Sequence, residues 1–281
     1  MHTQRFDSVA AFLEVAGPYL AAREAEHNLI LGVSSTVQRD PDAFEPPLVA
    51  TVEGMGGVLG AVLRTPPHNL IMSEFADPAA VAVLARELSA EPLPGLVGPP
   101  DAARAFSEAW VETHGGSWRV VRRERIYQLT AVTTPLPGAG APRLANASDR
   151  GVLADWLPAF ELEALDEVVE RGILERGLDS WARGSGKRFW LWDVDGRPVS
   201  LVGAGGRTPN GIRIGPVYTP PEERGRGYAS RLTAYVSETL LAEGHRFCFL
   251  YTDIDNPTAN DIYQQIGYRP VTDALMVSFG A

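Results

Sequence analysis

The sequence predicts an α/β protein of the α+β type that consists of two domains in tandem. The chain has 281 residues, which is long for one core and comfortable for two domains of about 100–200 residues each. In addition, the order of predicted helices and strands in the first half recurs, more clearly, in the second half. We interpret this recurrence as an internal duplication.

The boundary between the two halves is predicted from a segment rich in proline and glycine. Residues 133–142 read Thr-Thr-Pro-Leu-Pro-Gly-Ala-Gly-Ala-Pro. Proline and glycine at that density do not continue a helix or the interior of a sheet. We therefore expect a first domain over residues 1–132, a linker over 133–142 and a second domain over 143–281.

Apolar periodicity and turn signals predict the elements of the second domain. A helical region, interrupted near Pro158 and Gly172, follows a first short strand, and Asp195-Gly196 signals a hairpin turn. A later amphipathic helix ends at Gly244, and a shorter one begins at Asn256. The predicted ranges, in chain order, are strand 143–146, helical region 149–181, strands 188–192, 199–202 and 212–218, helix 227–243, strand 247–251, helix 256–266, and closing strands 268–271 and 275–279.

The first half shows the same order less distinctly. Phe75-Ala76-Asp77-Pro78 stands where the second half has a glycine-rich turn, so we expect the first half to be a scaffold and the second to perform the chemistry. The predicted ranges are helix 6–20, strands 48–52, 57–63 and 70–73, helix 78–88, strand 96–97, helix 102–113, and strands within 117–132.

Composition excludes several classes of function. The formal net charge of -10 argues against broad nucleic-acid binding, which needs a basic surface. The single cysteine, Cys248, lies in an apolar run and is expected to be buried, and the histidines do not have zinc-site spacing. The sequence does not indicate a signal peptide or membrane span, so a cytoplasmic location is expected.

The segment Arg224–Ala229, which contains Gly225 and Gly227, is the main candidate for a ligand site. It lies between a predicted strand and an amphipathic helix. Glycines allow a sharp turn and close approach to a ligand, and a helix N-terminus offers free N–H groups to an anion. A side chain at Gly227 is therefore expected to displace a bound pyrophosphate. A dinucleotide fingerprint is disfavoured, because Ser230 stands where its third glycine belongs.

The wider pattern resembles the GNAT superfamily of N-acetyltransferases. Arg224, Gly227 and Ala229 fit that family's loop of Arg or Gln, two residues, Gly, one residue, then Gly or Ala. Downstream, Asn256 to Tyr263 and the Gly267-Tyr268 pair fit its second cofactor region. The resemblance covers about residues 143–281 and is most specific over 215–268. It implies two GNAT-like domains in tandem, each a mixed, mostly antiparallel sheet flanked by helices, with a degenerate N-terminal copy.

The resemblance also implies roles for individual residues toward acetyl-CoA. A strand would pair its backbone with the pantetheine arm, a loop would hold the pyrophosphate, and Asn256 and Asn260 would lie beside the cofactor. Tyr263 would face the sulfur and protonate the departing thiolate. The strand residues are Val217, Tyr218 and Thr219, and the loop residues are Arg224, Gly225, Arg226, Gly227, Tyr228 and Ala229.

Each residue also has a purely structural interpretation. Asn256 alone is adequately explained as a helix cap, Tyr263 as a core residue and Tyr218 as strand packing. Their joint occurrence in this order is what favours a site. The general base is left open between Glu161, Glu163 and Asp253, each of which is also consistent with a solvated carboxylate.

We therefore predict an acetyl-CoA-dependent N-acetyltransferase that moves an acetyl group to a primary amine of a small molecule or peptide by direct attack. The alternatives are a non-catalytic CoA-binding sensor or scaffold and, less favoured, a nicotinamide-dependent oxidoreductase. The expected partners are the amine substrate and, as one option, a second copy in a homodimer. Nucleic acid, a membrane and a metal are not expected.

Overall fold

The computed structural model describes residues 1–41, 44–165, 168–185 and 187–280. By contacts, the chain forms two compact units. The N-terminal unit contains residues 1–127, 251–257 and 270–281, and the C-terminal unit contains residues 128–250 and 258–269. The final strand of the chain therefore counts with the N-terminal unit, which differs from a single division at the predicted linker.

The N-terminal unit is a sheet with helices on both faces. Its strands lie in the order β1-β2-β3-β4-β5-β12-β6. Among the strand pairs of this unit whose register the structure describes, β4 and β5 are parallel and the others are antiparallel. Strand β12 pairs antiparallel with β5 through Met276 and Val97. The elements are β1 His2–Arg5, α1 Val9–Ala21, α2 Asn28–Arg39, β2 Leu48–Gly54, β3 Gly57–Arg64, β4 Leu70–Met72, α3 Pro78–Glu87, β5 Gly95–Gly98, α4 Pro100–His114, β6 Ser117–Leu129 and β12 Arg269–Gly280.

Strand alternation separates two cores in this unit. Ala50 and Val52 of β2 face a core formed with α3 and α4. Val49, which directly precedes Ala50 and points to the opposite face, joins a core formed with α1 and α2. Because successive side chains of a strand point to opposite faces, one short apolar strand supplies both layers.

The C-terminal unit repeats this architecture. Its strands lie in the order β11-β10-β9-β8-β7, antiparallel throughout except for the parallel pair β10 and β11. Helices α5 and α6 cover one face around Leu153 and Leu178, and Leu232, Val236 and Leu240 form the buried stripe of α7. The elements are β7 Ala141–Leu144, α5 Arg150–Leu165, α6 Arg171–Ala182, β8 Arg188–Val194, β9 Arg197–Arg207, β10 Gly211–Tyr218, α7 Tyr228–Ala242, β11 Phe247–Asp253 and α8 Pro257–Ile266.

The repeated element order and the mixed, mostly antiparallel sheets confirm the predicted fold class. Each half has the order strand, two helices, three strands, crossover helix and strand. The last of these strands pairs in parallel with the strand that precedes the crossover helix. Helix α3 is the crossover in the first half and α7 in the second. The two parallel pairs are thus equivalent positions of the repeated order.

Several element boundaries differ from the prediction. Pro158 lies inside α5 and does not interrupt it, whereas α6 begins at Arg171, in agreement with the interruption predicted near Gly172. The break lies between Leu165 and Arg171, where Asp166 and Glu167 are outside the described residues. Strand β1 and helix α2 were not predicted, and the two predicted closing strands are one strand, β12.

The predicted linker is tied to the C-terminal unit at several points. The Thr133 amide donates to the carbonyl of Ile266 at 2.6 Å, and the Trp192 indole donates to the carbonyl of Ala139 at 2.9 Å. Ala141 and Pro142 belong to β7 and pair with β8. Proline is compatible with this strand because β7 is at an edge of the sheet, where a missing N–H leaves no ladder bond unmade.

An ion-pair network fixes the start of the C-terminal unit. The Arg143 guanidinium donates to both carboxylate oxygens of Asp149 at 2.7 and 2.8 Å and to Asp193 at 2.6 Å. Asp149 is 5% exposed and also accepts from the Asn146 amide at 2.8 Å. The hydrogen bonds from Arg143, with a smaller contribution from the Asn146 amide, hold the pKa of Asp149 below its ordinary value.

We expect Arg143→Met to lower the free energy of unfolding by about 1–3 kcal/mol, because it leaves the buried Asp149 carboxylate without its cation. A urea unfolding midpoint measures this loss. Arg150→Met is the matched control, since its ion pairs with Glu175 and Asp179 are exposed and should contribute less than about 1 kcal/mol. Equal losses in the two variants would contradict the assignment.

The same network predicts the direction of a pH effect. A carboxylate whose pKa is lowered by folding stabilises the protein above the ordinary aspartate pKa of about 3.9. That contribution disappears as the pH falls through the lowered pKa of Asp149. Between about pH 4 and about pH 2, the free energy of unfolding should therefore fall less in Arg143→Met than in the wild type.

Candidate active site

The outer half of β10 has a free edge for a ligand. Parallel pairing with β11 covers Gly211–Arg213 of β10, opposite Phe247–Phe249. Beyond Arg213, the pairs of β10 in the described part of the chain are with β9. The register shifts between Ile214 and Val217, after which Val217 pairs with Val202 and Tyr218 with Leu201. A bulge of this kind re-aims a strand and ends its pairing. The backbone near Val217 is therefore placed to bind an extended ligand as an added strand.

The glycine loop, Arg224–Gly227, turns the chain into α7. Gly225 and Gly227 have φ values of 77° and 73°, a left-handed conformation that favours glycine. Gly227 is the N-cap and makes no side-chain cap bond, so the first amides of α7 are not satisfied by its cap residue. A loop with this backbone, at the positive end of a helix, fits the diphosphate of a nucleotide cofactor.

The two loop glycines differ in what surrounds them. A Cβ on Gly225 would meet no atom within 4 Å, whereas one on Gly227 would lie 2.9 Å from Nη1 of Arg231. A side chain at Gly227 would thus press on Arg231, and its expected effect on a bound pyrophosphate stays a prediction. The open side of the loop is at Gly225.

Helix α5 contacts the end of β10 through a polar triad. Glu163 forms an ion pair with Arg224, and its other oxygen accepts from the Tyr218 hydroxyl at 3.3 Å. Arg224 also donates from Nε to the Thr219 carbonyl at 2.9 Å. Burial, and then the negative charge of Glu163, raise the pKa of Tyr218. Glu163, one of the three predicted carboxylates, thus contacts both the predicted cofactor strand and the loop.

Trp156 adds an aromatic wall to this corner of the unit. Its ring centroid lies 6.0 Å from that of Tyr218 at an interplanar angle of 56°. Trp156 is half-buried on α5, and Tyr218 is 7% exposed. The corner therefore combines two aromatic rings with one carboxylate.

Helix α8 contributes the predicted cofactor and sulfur-facing residues. Tyr263 is 9% exposed, and its ring packs edge-to-face against Tyr268 at 6.0 Å. Burial raises the pKa of Tyr263 to about 12, so the phenol keeps its proton at neutral pH. The carbonyl of Asn260 accepts from Gln264 at 3.1 Å, one turn along the helix. Tyr263 and Ile266 are buried while Ile262 is half-buried, so Tyr263 also contributes to the core.

The structure groups most but not all of the predicted site residues. One set lies in the C-terminal unit, and Asp253 and Asn256 count with the N-terminal unit. Asp253 lies 3.9 Å from Arg122 and accepts from the Asp255 amide at 2.8 Å. The set in the C-terminal unit is Glu161, Glu163, Val217, Tyr218, Thr219, Arg224, Gly225, Arg226, Gly227, Tyr228, Ala229, Asn260 and Tyr263.

Sequence reasoning missed two residues, one beside the end of β10 and one beside the glycine loop. Ser200 on β9 donates to the Tyr218 carbonyl at 3.2 Å and lies 2.9 Å from the Thr219 hydroxyl. Arg231 on α7 donates from Nη2 to the Arg226 carbonyl at 2.6 Å. Arg231 was detectable in principle, because a residue four positions after a helix N-cap leans back toward it. Ser200 had no such local signal.

The equivalent position in the N-terminal unit is closed to an anion. Helix α3 begins after Asp77, whose carboxylate accepts from the Ala79 amide at 2.8 Å, and Pro78 has no N–H. A Cβ on Gly98 would lie 2.8 Å from Cβ of Met72, so β4 and β5 stay close at their carboxyl ends. Both features oppose phosphate binding at this helix start.

The N-terminal unit does contain a cavity of about 350 Å³, including its open mouth. Its lining is mostly apolar, with Ile30, Ile71 and Val97 among the residues. Its two carboxylates, Glu26 and Asp273, are ion-paired with arginines. The described lining contains no lysine or arginine, which a diphosphate site would favour.

Other chemistries find little support in the described residues. Cys248 is fully buried, and burial raises the pKa of its thiol to about 12, as expected for a core residue rather than a nucleophile. Among the residues that the structure describes, no cluster of His, Cys, Asp or Glu has the geometry of a metal site. Across the same residues, every helix is too short or too polar to span a bilayer.

The fold and the site define a class of α/β protein with a strand edge and a helix start without a side-chain cap in its C-terminal half. Residues 152–268 match the model of the acetyltransferase (GNAT) family, and they form a domain of that family. No curated protein sequence matches the chain at a significant level. The family and the fold support acetyl transfer as the general class of reaction.

Solved structures show the same fold over nearly the whole chain. A Drosophila protein is 14% identical with a TM-score of 0.70, covering 99% of this chain and 98% of that chain. A tandem GNAT protein of the clavulanic acid biosynthesis pathway is 15% identical with a TM-score of 0.60, covering 99% and 98%. A GCN5-related N-acetyltransferase from Sphaerobacter thermophilus is 17% identical with a TM-score of 0.59, covering 99% and 95%. At these identities the likeness concerns the fold.

Proposed function

We propose that the second domain, expected over residues 143–281, binds acetyl-CoA and transfers its acetyl group to a primary amine of a small molecule or peptide. The observation that supports this best is the left-handed turn at Gly225 and Gly227, placed between a strand edge and the start of α7. The strand edge suits an extended amide-containing arm, and the turn suits a diphosphate. A cofactor with both parts matches the two features together.

The cofactor contacts follow from these two features. The backbone of Val217, Tyr218 and Thr219 would pair with the pantetheine arm. The amides of the glycine loop and the first turn of α7, through Tyr228 and Ala229, would hold the diphosphate. Arg224 and Arg226 would add positive charge at its rim, and Asn256 and Asn260 stay predicted contacts from the segment around the start of α8.

Acetyl-CoA, when bound, supplies an activated thioester carbonyl that a neutral amine attacks directly. The protein must then orient the amine and accept its proton. We propose Glu163 for this task, because it lies against Tyr218 at the end of β10. Its ion pair with Arg224 is exposed, with side chains 42% and 48% accessible, so the pair is weak and easily exchanged for a phosphate contact. Asp253 and Glu161 stay alternative bases.

Tyr263 is proposed to stabilise the departing thiolate. Its pKa of about 12 is well above the value of about 8.5 for an ordinary thiol, so complete proton transfer to the thiolate is unfavourable. We therefore expect the hydroxyl to act chiefly as a hydrogen-bond donor while the carbon–sulfur bond breaks. A buried, preorganised donor suits this role because it needs no reorganisation.

Turnover distinguishes this proposal from a CoA-binding sensor or scaffold. Purified protein is incubated with acetyl-CoA and a panel of small-molecule and peptide amines, and free thiol is measured. Amine-dependent thiol release supports the transferase. Tight CoA binding without release over a broad panel would favour the sensor, and binding of NAD instead of CoA would favour the oxidoreductase.

We expect Gly225→Val to reduce CoA affinity by more than about 100-fold, because the new side chain occupies the open side of the loop and strains its backbone. Calorimetry with CoA measures the effect. Gly244→Val is the matched control, since Gly244 also has a positive φ, 102°, and open space around its Cβ, but lies at the other end of α7. A folded Gly225→Val protein with wild-type affinity would place the cofactor elsewhere.

One CoA is expected to bind per chain. The Asp77 cap and Pro78 in the N-terminal unit leave no equivalent anion site at the start of α3. The stoichiometry from the same calorimetric titration tests this expectation. A value of two would refute the scaffold role proposed for residues 1–132.

We expect Tyr263→Phe to slow acyl transfer by about 10²–10³-fold, the effect of losing one preorganised donor. CoA affinity should change little, because the ring packing is kept. Single-turnover kinetics at saturating amine isolate this step from product release. Tyr127→Phe, which removes a buried hydroxyl from the N-terminal unit, controls for loss of stability alone. A normal single-turnover rate in folded Tyr263→Phe would remove the hydroxyl from the mechanism.

A further inference from the structure

Arg231 occupies an unusual place at the start of α7. Its amide donates to the Gly227 carbonyl at 3.2 Å, in the first turn of the helix. Because helical side chains lean toward the N-terminus, its guanidinium reaches back along the glycine loop. There Nη2 donates to the Arg226 carbonyl at 2.6 Å. The side chain thus links α7 to the middle of the loop.

Aromatic rings and a glycine hold this guanidinium in place. Its carbon Cζ lies 5.5 Å from the ring centroids of both Trp192 and Tyr228. The Trp192 indole is itself fixed by its bond to the Ala139 carbonyl at 2.9 Å. A Cβ on Gly138 would lie 2.5 Å from Cζ of Arg231, so glycine leaves the room that the guanidinium occupies.

Local stability does not explain this arrangement. The Nε atom of Arg231 is buried without a hydrogen-bond partner among the described residues, which is unfavourable. The positive end of α7 also opposes a cation placed beside it. A bound anion would reverse the second effect, because the guanidinium, the helix start and the loop amides would then all attract it.

We propose that Arg231 is a positioning residue for the diphosphate of CoA, held in place by the segment Gly138–Gly140. This inference rests on the proposed function. The bond from the guanidinium to the Arg226 carbonyl oxygen offsets the partial negative charge of that oxygen, which would otherwise repel the diphosphate. It also fixes the turn in which the amides at the start of α7 stay available to the diphosphate.

The experiment compares two ligands, CoA and pantetheine, which lacks the diphosphate and the nucleotide. Arg231→Gln should weaken CoA binding by about 10-fold or more, the effect of losing a charge-assisted contact, and leave pantetheine binding unchanged. For acetyl-CoA turnover, KM should rise while kcat changes less than about twofold, because only ground-state positioning is altered. Calorimetry and competition binding provide the affinities.

Two further variants separate position from charge. Gly138→Ala should displace the guanidinium at little cost in stability, because the clash is with the end of a flexible side chain, and it should weaken CoA binding in the same direction as Arg231→Gln. Gly177→Ala on α6, where a Cβ meets no atom within 4 Å, is its control and should bind CoA normally. Arg231→Lys keeps the charge but loses the planar stacking, so it should not restore affinity.

Several outcomes would overturn the inference. Wild-type CoA affinity in folded Arg231→Gln or Gly138→Ala would remove the positioning role, and full restoration by Arg231→Lys would reduce it to charge. Equal losses for CoA and pantetheine would indicate general damage to the unit. If the wild-type protein does not bind CoA at all, the proposed function itself fails, and this result is distinct from the others.

Discussion

The backbone of the glycine loop is the constraint on which the candidate site depends. Two left-handed residues within three positions, Gly225 and Gly227, reverse the chain after β10 and start α7 without a side-chain cap. An ordinary residue would pay roughly 1–2 kcal/mol at each position, so the turn is built for two glycines. The unsatisfied amides and the helix dipole then favour an anion whatever its identity. The neighbouring arginines, the strand edge and α5 are all positioned relative to this turn.

Electrostatics around the turn are balanced within the C-terminal unit. Arg224 pairs with the exposed Glu163, and Arg226 pairs at 2.7 Å with Glu223, which is half-buried, so carboxylates neutralise both rim arginines. The exposed pair of Arg224 and Glu163 contributes little to stability and is screened by salt. A diphosphate at a helix start offers each guanidinium a stronger partner.

Sequence alone predicted most of the C-terminal unit because its signals are local. Neighbouring residues determine the Asp195-Gly196 turn and the apolar stripe of α7. They also determine the glycines that precede and follow α7. Helix α5 was misjudged at Pro158 because tertiary packing of its apolar side chains, Leu153 among them, in a core with Leu178 and Tyr218 outweighs one missing hydrogen bond. The last strand could not be assigned to a unit, since pairing of β12 with β5 joins residues far apart in sequence.

Sequence predicted the candidate site residues that belong to a motif, and it missed those that only tertiary contacts bring to the site. The glycine loop was predicted from its local pattern and Tyr263 from the resemblance, whereas the contact of Glu163 with Arg224 joins α5 to a loop 61 residues away. The same distinction explains why the two similar halves differ at the start of their crossover helices. Both halves have a parallel strand pair with a crossover helix, but Asp77 and Pro78 replace the glycine turn in the first. An acidic cap satisfies the helix start internally and repels phosphate, so a few residues suffice to convert a binding site into a structural element.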